Sequence, residues 1–278
     1  MATRAAAEQP MTAAMWDRRY SKKAYAYGTE PNDFLLEVLP IVQERLSQDQ
    51  CALSHEDEGA GYEVRVLSLG EGEGRNAVYL ASKGPGWLVT GVDASRAGLA
   101  KARAFAAERG VRVKTVAADL AEFDLGEGCW DLIVSIFCHL PMAVRSRVHA
   151  ACERALRPGG VVLLEAFAPG QLSCRSGGPP DIERLMSMDM LKSDFAGLEV
   201  LLLRELERDV TEGIYHKGRA MVVQLLARRP MGAAEDDTSD IADAAAAVME
   251  ETAPHIAGPS RLACEADGPS FVDGECAS

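Results

Sequence analysis

The chain has 278 residues, of which 47% are hydrophobic and 26% are charged, and this balance excludes a protein that is disordered or fibrous throughout. The net charge of −13 is concentrated at the C-terminal end, because residues 231–278 hold 11 acidic residues and a single arginine. The remainder is nearly neutral and has no basic cluster of the size that tracks a nucleic-acid backbone, so we expect no nucleic-acid partner.

Apolar runs stay far below the ~20 residues of a membrane span, and the N-terminal sequence lacks the apolar core of a secretory signal. The seven cysteines are scattered and form no C-x-x-C pair, which is typical of reduced thiols in a cytoplasmic protein and gives no metal-binding spacing. We therefore expect a cytoplasmic protein with no membrane contact and no metal.

The first part of the chain is predicted to be helical and rich in aromatic residues. Residues 13–34 contain five aromatic side chains, and apolar residues at helical spacing continue from Leu35 to Leu46. Pro40 lies inside this pattern, so we expect a kink or a break there. Residues 47–61 are predicted to form a loop.

From residue 64 onward, short apolar runs alternate with amphipathic segments. The predicted strands are 64–69, 87–92, 111–118, 130–137 and 161–167, and the helices between them begin near Arg75, Ser95 and Pro141. This alternation predicts an α/β fold with a parallel, doubly wound sheet.

The end of the chain follows a different pattern. After a helix predicted near 181–194, two strand-like runs at 199–208 and 219–228 are too close together for a crossover helix, so they should pair antiparallel and bring the sheet to seven strands. Residues 231–278 are predicted to be a disordered acidic tail, because they hold few large apolar groups. The folded domain is therefore placed at residues 13–229.

The main functional signal is the segment Val66–Asn76, in which a strand runs through Leu69 into a turn with Gly70, Gly72 and Gly74. Glycines allow a ligand to approach the backbone, and the following helix begins with unpaired N–H groups. A tight turn that needs positive φ angles is the alternative explanation.

Asp93 ends the second predicted strand, beside this turn, where a carboxylate accepts the ribose hydroxyls of an adenosine. Capping of the next helix is its other possible role. The glycines leave the type of nucleotide open, since a dinucleotide-type G-x-G-x-x-A pattern runs from Gly72 to Ala77. A mononucleoside is favoured by the strand ending before Gly70, by Asp119 after the third strand, and by the antiparallel pair at the end.

Seven motifs together resemble the class I S-adenosylmethionine-dependent methyltransferases, close to the tellurite-resistance and thiopurine methyltransferase-like branch that acts on small molecules. The resemblance covers roughly residues 13–228 by the order and spacing of these motifs. They are Trp16-Asp17-Arg18-Arg19-Tyr20, Tyr27-Gly28-Thr29-Glu30-Pro31-Asn32, the glycine turn, Gly91-Val92-Asp93, Ala118-Asp119-Leu120, Trp130-Asp131-Leu132-Ile133 and Leu156-Arg157-Pro158-Gly159-Gly160.

The resemblance implies a Rossmann-like sheet, S-adenosylmethionine as cofactor and methyl transfer to a small molecule by in-line displacement. It implies that residues 13–47 form a helical lid, with Trp16 and Tyr27 over the sulfonium. The other implied cofactor residues border the methionine part (Gly70, Gly72, Gly74), the ribose (Asp93), the adenine (Asp119, Leu120) and the methyl-donor pocket (Phe137).

One position departs from the family. Ser68 stands where many members have an acid two places before the first glycine, which weakens the expected hold on the cofactor's amino group. Glu71 and Glu73 are candidates for replacing that acid.

The catalytic candidates are His139, His216 and Tyr20, while His149 is expected on a solvated helix face. For His139 and His216, a structural role is more common than a catalytic one at positions of this kind. A base is required only when the acceptor is protonated, so the chemistry does not choose between them.

Two other functions remain open, a nicotinamide-dependent oxidoreductase that uses Gly72, Gly74 and Asp93, and a non-catalytic module that binds S-adenosylmethionine. The oxidoreductase would lack a second domain for its substrate, and Ser68 is the hint for the non-catalytic module. We expect a monomer.

Overall fold

The computed structural model describes residues 12–53 and 63–231. Seven strands form one sheet, namely β1 Val64–Leu69, β2 Trp87–Asp93, β3 Val113–Ala117, β4 Trp130–Ile136, β5 Leu156–Phe167, β6 Glu199–Glu212 and β7 His216–Arg228. The α-helices are α1 Ala13–Tyr20, α2 Asp33–Leu53, α3 Arg75–Ala81, α4 Arg96–Glu108, α5 Met142–Ala155 and α6 Met188–Asp194, with short 3-10 helices at Pro169–Ser173 and Ile182–Arg184.

The strand order is β3-β2-β1-β4-β5-β7-β6. Strands β1 to β5 are parallel, and β7 is antiparallel to both β5 and β6. This confirms the predicted seven-stranded, mostly parallel sheet with one antiparallel strand. The order reverses between β1 and β4, and ligands of doubly wound sheets bind in the crevice at the carboxyl ends of such strands.

The sheet is covered on both faces, which explains why apolar residues predominate in its central strands. Alternate side chains of β1 point to opposite faces, so Leu67 and Val66 belong to two different core clusters. On one face α5 and α6 contribute Val148 and Leu191, and on the other α2 contributes Leu35 together with further apolar side chains. The two layers fix the strand ends that carry the site.

Helix α2 is not broken at Pro40, one of the two outcomes expected there, because a single helix continues through this residue. Proline removes only one backbone hydrogen bond, and its own side chain is exposed. The neighbouring Leu39 and Val42 are 1% and 2% exposed and pack onto the sheet, which offsets the missing bond.

The C-terminal elements also differ from the prediction in length. The helix predicted over 181–194 is a 3-10 turn followed by α6, which begins after Ser187 caps its N-terminus by accepting a hydrogen bond from Met190 N–H. Strands β6 and β7 extend until only residues 213–215 separate them, so a tight hairpin replaces the expected loop.

His149 is buried, not solvated as expected from the polar residues around it. Its Nδ1 lies 2.8 Å from Asp194 of α6, and its ring stacks on Phe195 with centroids 4.6 Å apart. The partner that allows this burial comes from another helix, which periodicity within α5 does not reveal.

Residues 232–278, for which the acidic tail is predicted, lie outside the described residues. None of the helices within residues 12–53 and 63–231 combines the length and apolar character that crossing a membrane requires.

Candidate functional site

A cavity of about 1250 Å³ opens at the carboxyl ends of β1, β2 and β4. The first part of its wall is the glycine turn after β1, where Gly70 and Gly72 have φ angles of +62° and +63°. A Cβ on Gly70 would lie 2.8 Å from the Cys138 sulfur, so this turn presents bare backbone to the cavity.

Gly74 has a different position from the other two glycines. It is absent from the cavity wall, and a Cβ there would lie 2.7 Å from the Cα of Ala102 in α4. Gly74 caps the N-terminus of α3 with a φ of +99°. Its role in the structure is to let α3 and α4 pack closely at Ala102.

Asp93, at the end of β2, is buried and lines the cavity. Its two oxygens accept hydrogen bonds from the N–H groups of Gly72 at 2.8 Å and Ser95 at 2.7 Å. Burial raises its pKa above the ordinary value, against the effect of these two bonds. The carboxylate therefore orders the turn and the start of α4, and its remaining lone pairs are available for hydroxyl groups.

Asp119 and Leu120 follow β3 and also line the cavity. Asp119 accepts the N–H of Ala121 at 2.8 Å, which closes a turn around its carboxylate. Two acids at the ends of adjacent strands thus lie along one wall, as the strand pairing of β2 with β3 requires.

The Ser68 position is linked to Glu71, since the serine hydroxyl donates a short hydrogen bond to that carboxylate. Glu71 also accepts the N–H of Ala77 at 3.1 Å, and burial raises its pKa to about 7. Glu73 accepts the N–H of Ala26 at 2.6 Å. Both carboxylates border the cavity while bonded to the protein.

An aromatic cluster formed by Trp16, Tyr20 and Tyr27 covers this end of the cavity. Their ring centroids lie between 5.6 and 6.4 Å apart. The Arg19 guanidinium lies 4.9 Å from the Trp16 ring and donates to the Tyr27 hydroxyl at 2.6 Å. The N-terminal segment is therefore a packed part of the site.

The same segment is bonded to the C-terminal hairpin. Ile214 N–H donates to the carbonyl of Ala26 at 2.9 Å, and a Cβ on Gly213 would lie 2.4 Å from the backbone nitrogen of Gly28. Two glycines thus allow the two backbones to meet above the sheet.

Phe137 follows β4 and has a φ of +51°, a strained value for a side chain of this size. The conformation turns its ring toward the cavity, with centroids 4.5 Å from Phe167 and 4.8 Å from His216. Backbone strain at a ligand wall is typical of functional positions.

All three catalytic candidates line the cavity, but their hydrogen bonds differ. His139 Nε2 accepts the N–H of Phe167 at 2.9 Å, so Nδ1 carries the proton and donates to the Phe137 carbonyl at 3.0 Å. Burial lowers its pKa to about 3. With both nitrogens engaged, His139 is placed to hold two strand ends together.

Tyr20 is likewise poorly placed for proton transfer. Burial is the main cause that raises its pKa well above 10, with the Asp93 charge adding to it. Its side chain packs on Gly72 and Gly98, since an added Cβ would lie 2.9 Å from the hydroxyl at Gly72 and 2.8 Å from the ring at Gly98.

His216 is held by Glu212 across the hairpin, with Nδ1 3.1 Å from the carboxylate. Glu212 also accepts Arg75 at 2.9 Å and Asn32 at 2.9 Å. Asn32 and Arg75 are more than 130 residues from Glu212 in the chain, so no local sequence pattern predicts that they meet it.

Comparison with known proteins supports this reading of the fold and the turn. Residues 66–160 match the family described as "Methyltransferase domain". Demethylmenaquinone methyltransferase of Thermus thermophilus is 31% identical over 105 residues, which make up 38% of this chain and 48% of that protein. The chain spans about half the length of the curated relatives it matches.

Two solved structures share the fold. One, described as "Conversion of a Disulfide Bond into a Thioacetal Group during Echinomycin Biosynthesis", is 22% identical with a TM-score of 0.55, and covers 87% of this chain and 97% of its own. TehB from Haemophilus influenzae is 19% identical with a TM-score of 0.50, and the match covers 67% of this chain and 62% of the TehB chain.

These matches confirm the resemblance to methyltransferases that was predicted from the sequence, and TehB shares the fold. The cofactor that this family implies is S-adenosylmethionine, and the bare glycine backbone beside a buried carboxylate is a cradle that fits it. Residues 66–160 are therefore similar to a methyltransferase domain, and the described residues share their fold with methyltransferase structures.

Proposed function

We propose that the protein transfers a methyl group from S-adenosylmethionine to a small-molecule acceptor by in-line displacement. The observation that carries this proposal is one continuous cavity that begins at the glycine turn and Asp93 and extends to Phe167 and His216. Its volume of about 1250 Å³ exceeds the roughly 300–1,000 Å³ of single-ligand pockets. Such a cavity has room for a cofactor and a small acceptor together.

The cofactor end is assigned to the residues at the strand ends. Asp93 accepts the ribose hydroxyls, the backbone of Gly70 and Gly72 borders the methionine part, and Asp119 with Leu120 borders the adenine. The sulfonium of S-adenosylmethionine supplies an activated methyl group, so the protein's task is orientation and exclusion of water. Trp16 and Tyr27 cover that end.

The acceptor end is assigned to the opposite part of the wall, formed by residues 139–141, 177–181 and 215–216 with Phe167. Residues 177–181 lie between the two short 3-10 helices and reach the cavity. A small acceptor agrees with the name of the Thermus thermophilus relative, which refers to a quinone. One chain provides this whole wall, so we expect the monomer to be active.

Calorimetric titration with S-adenosylmethionine, S-adenosylhomocysteine and NAD tests the cofactor assignment. Binding of the first two with no NAD binding is expected, whereas NAD binding alone would favour the oxidoreductase. Turnover is tested with a methyl-labelled donor, a panel of small acceptors and mass spectrometry of the products. Cofactor binding without any methylated product would favour the non-catalytic module.

A further inference from the structure

His216 differs from His139, the other histidine of the described site, in having one ring nitrogen without a hydrogen bond among the described residues. Its Nδ1 is 3.1 Å from Glu212, while Nε2 has no protein partner and the side chain lines the cavity. His139, by contrast, has partners at both nitrogens. The site therefore contains two histidines but only one available nitrogen lone pair.

The state of that lone pair follows from Glu212. Burial opposes ionisation of this carboxyl, but the hydrogen bond from His216 and the charge of Arg75 outweigh burial and keep its pKa well below the usual range. An ionised carboxylate only accepts hydrogen bonds, so Nδ1 of His216 must donate. In the neutral ring the lone pair then lies on Nε2.

The ring is also neutral near pH 7. Burial lowers the His216 pKa, Glu212 acts against this, and the charges of Arg75 and Arg19 lower it further. His139 faces it from the loop after β4 but is itself uncharged. A neutral imidazole with a fixed tautomer is ready to accept a proton.

Three aromatic rings, Tyr27, Phe137 and Phe167, form a frame around His216, with centroids 4.5, 4.8 and 5.1 Å from the imidazole. Tyr27 and Phe137 are residues that the family resemblance places beside the methyl donor. Flat aromatic walls favour a flat ligand. The available nitrogen thus lies beside the place where methyl transfer is proposed.

Building on the proposed function, we infer that His216 is the general base of the reaction, that Glu212 positions it, and that the acceptor is a flat ring bearing an O–H, N–H or S–H group. The proton of that group moves to Nε2, and the electron pair it releases forms the bond to the methyl carbon. The carbon–sulfur bond breaks with its electrons kept on sulfur. The imidazolium then passes the proton to solvent.

The test compares two probes of one shape, 2-naphthol, which is protonated at neutral pH, and 2-naphthalenethiol, which ionises readily. His216→Asn is expected to slow methylation of 2-naphthol about 100-fold or more, with a much smaller effect on the thiol at pH 8. The wild-type rate on 2-naphthol should fall at low pH as His216 protonates, and this fall should vanish in the variant. Affinity for S-adenosylmethionine should remain within about twofold of wild type, since the base acts on the acceptor.

His149→Asn is the matched control, because His149 is also buried and also bonded to a carboxylate but lies outside the cavity. Per folded molecule it should keep the wild-type rate. Glu212→Gln should slow 2-naphthol methylation as well, because an amide that donates to Nδ1 shifts the ring proton to Nε2.

A readout independent of turnover is the 15N NMR spectrum of the histidine rings in the full chain. We expect His216 at pH 7 to be neutral with its proton on Nδ1, and an Nε2–H or charged ring would overturn the inference. Equal rates of His216→Asn and wild type on 2-naphthol, or a wild type that methylates only the thiol or neither probe, would also overturn it. Absence of S-adenosylmethionine binding would instead refute the proposed function itself.

Discussion

The carboxylate of Asp17 accepts a 2.6 Å hydrogen bond from the hydroxyl of Ser95, the residue that caps α4. The N–H of the same serine donates to Asp93 at 2.7 Å. One serine therefore links a lid carboxylate to the carboxylate assigned to the cofactor ribose. Ser95 therefore connects helix α1, part of the proposed lid, to the proposed ribose site.

Asp17→Ala is expected to weaken S-adenosylmethionine binding by up to about tenfold. The proposed lid would lose its hydrogen bonds to Ser95 and Ala97, each of which contributes the free energy usual for a protein hydrogen bond. Thermal stability should change little, since Asp17 lies near the surface. Ser21→Ala is the control, as that hydroxyl bonds only within α1 and its cap. Equal affinities of the Asp17 variant and wild type, measured by calorimetry, would show that the lid does not act on the cofactor.

Asp93→Ala should weaken S-adenosylmethionine binding at least about tenfold, because a carboxylate bridging two hydroxyls contributes roughly 1.5–3 kcal/mol. The N–H groups of Gly72 and Ser95 also lose their acceptor, so unfolding free energy should fall by about 1–3 kcal/mol. Asp93→Asn keeps one acceptor oxygen and should be the more stable variant. A folded variant with unchanged affinity would refute the ribose assignment.

Gly74→Ala should destabilise the fold by more than Gly110→Ala, although both glycines have positive φ angles. At Gly110 nothing lies within 4 Å of an added Cβ, so only the left-handed conformation costs about 1–2 kcal/mol. At Gly74 the Cβ would also meet the backbone of Ala102, and overpacking adds roughly 1–3 kcal/mol. Chemical denaturation measures both; similar losses would mean that α4 moves aside freely.

Glu71 is expected to make stability fall as pH rises. Burial raises the pKa of Glu71 in the folded state to about 7, whereas the ordinary value of 4.5 applies to the unfolded chain. Between pH 4.5 and pH 7 the side chain is therefore protonated in the folded protein and ionised in the unfolded chain. The contribution is full below pH 4.5 and lost as the pH passes 7, in total about 3 kcal/mol. Glu71→Gln resembles the protonated side chain. Its free energy of unfolding should therefore rise relative to that of wild type between pH 5 and pH 8. Denaturant curves at both pH values check this, and a pH-independent difference would contradict it.

The sequence predicted those parts of the site whose signal is local. One short stretch of sequence contains the strand that ends at Leu69, the glycines after it and the helix from Arg75. The turn and its role in binding a ligand could therefore both be predicted from that stretch. The topology of the sheet was equally predictable, because strands and helices alternate with few residues between them.

Features that depend on distant partners were not predictable in this way. Asn32 and Glu212 are 180 residues apart, and their 2.9 Å bond beneath the site has no counterpart in the local pattern. His149 was placed wrongly for the same reason, since the carboxylate that accompanies it into the interior belongs to another helix. The choice between His139 and His216 also required the hydrogen bonds of each ring.

The bond between Ala26 and Ile214 has a consequence for how the protein is made. The N-terminal cover of the cavity is synthesised before the central strands, whereas its anchor on the hairpin is synthesised after them. Contacts so far apart in the chain form late, after the entropy of closing the intervening chain has been overcome. A nascent chain can therefore complete the central strands and the glycine turn while the cavity still stands open, and the cofactor site closes only when the hairpin arrives.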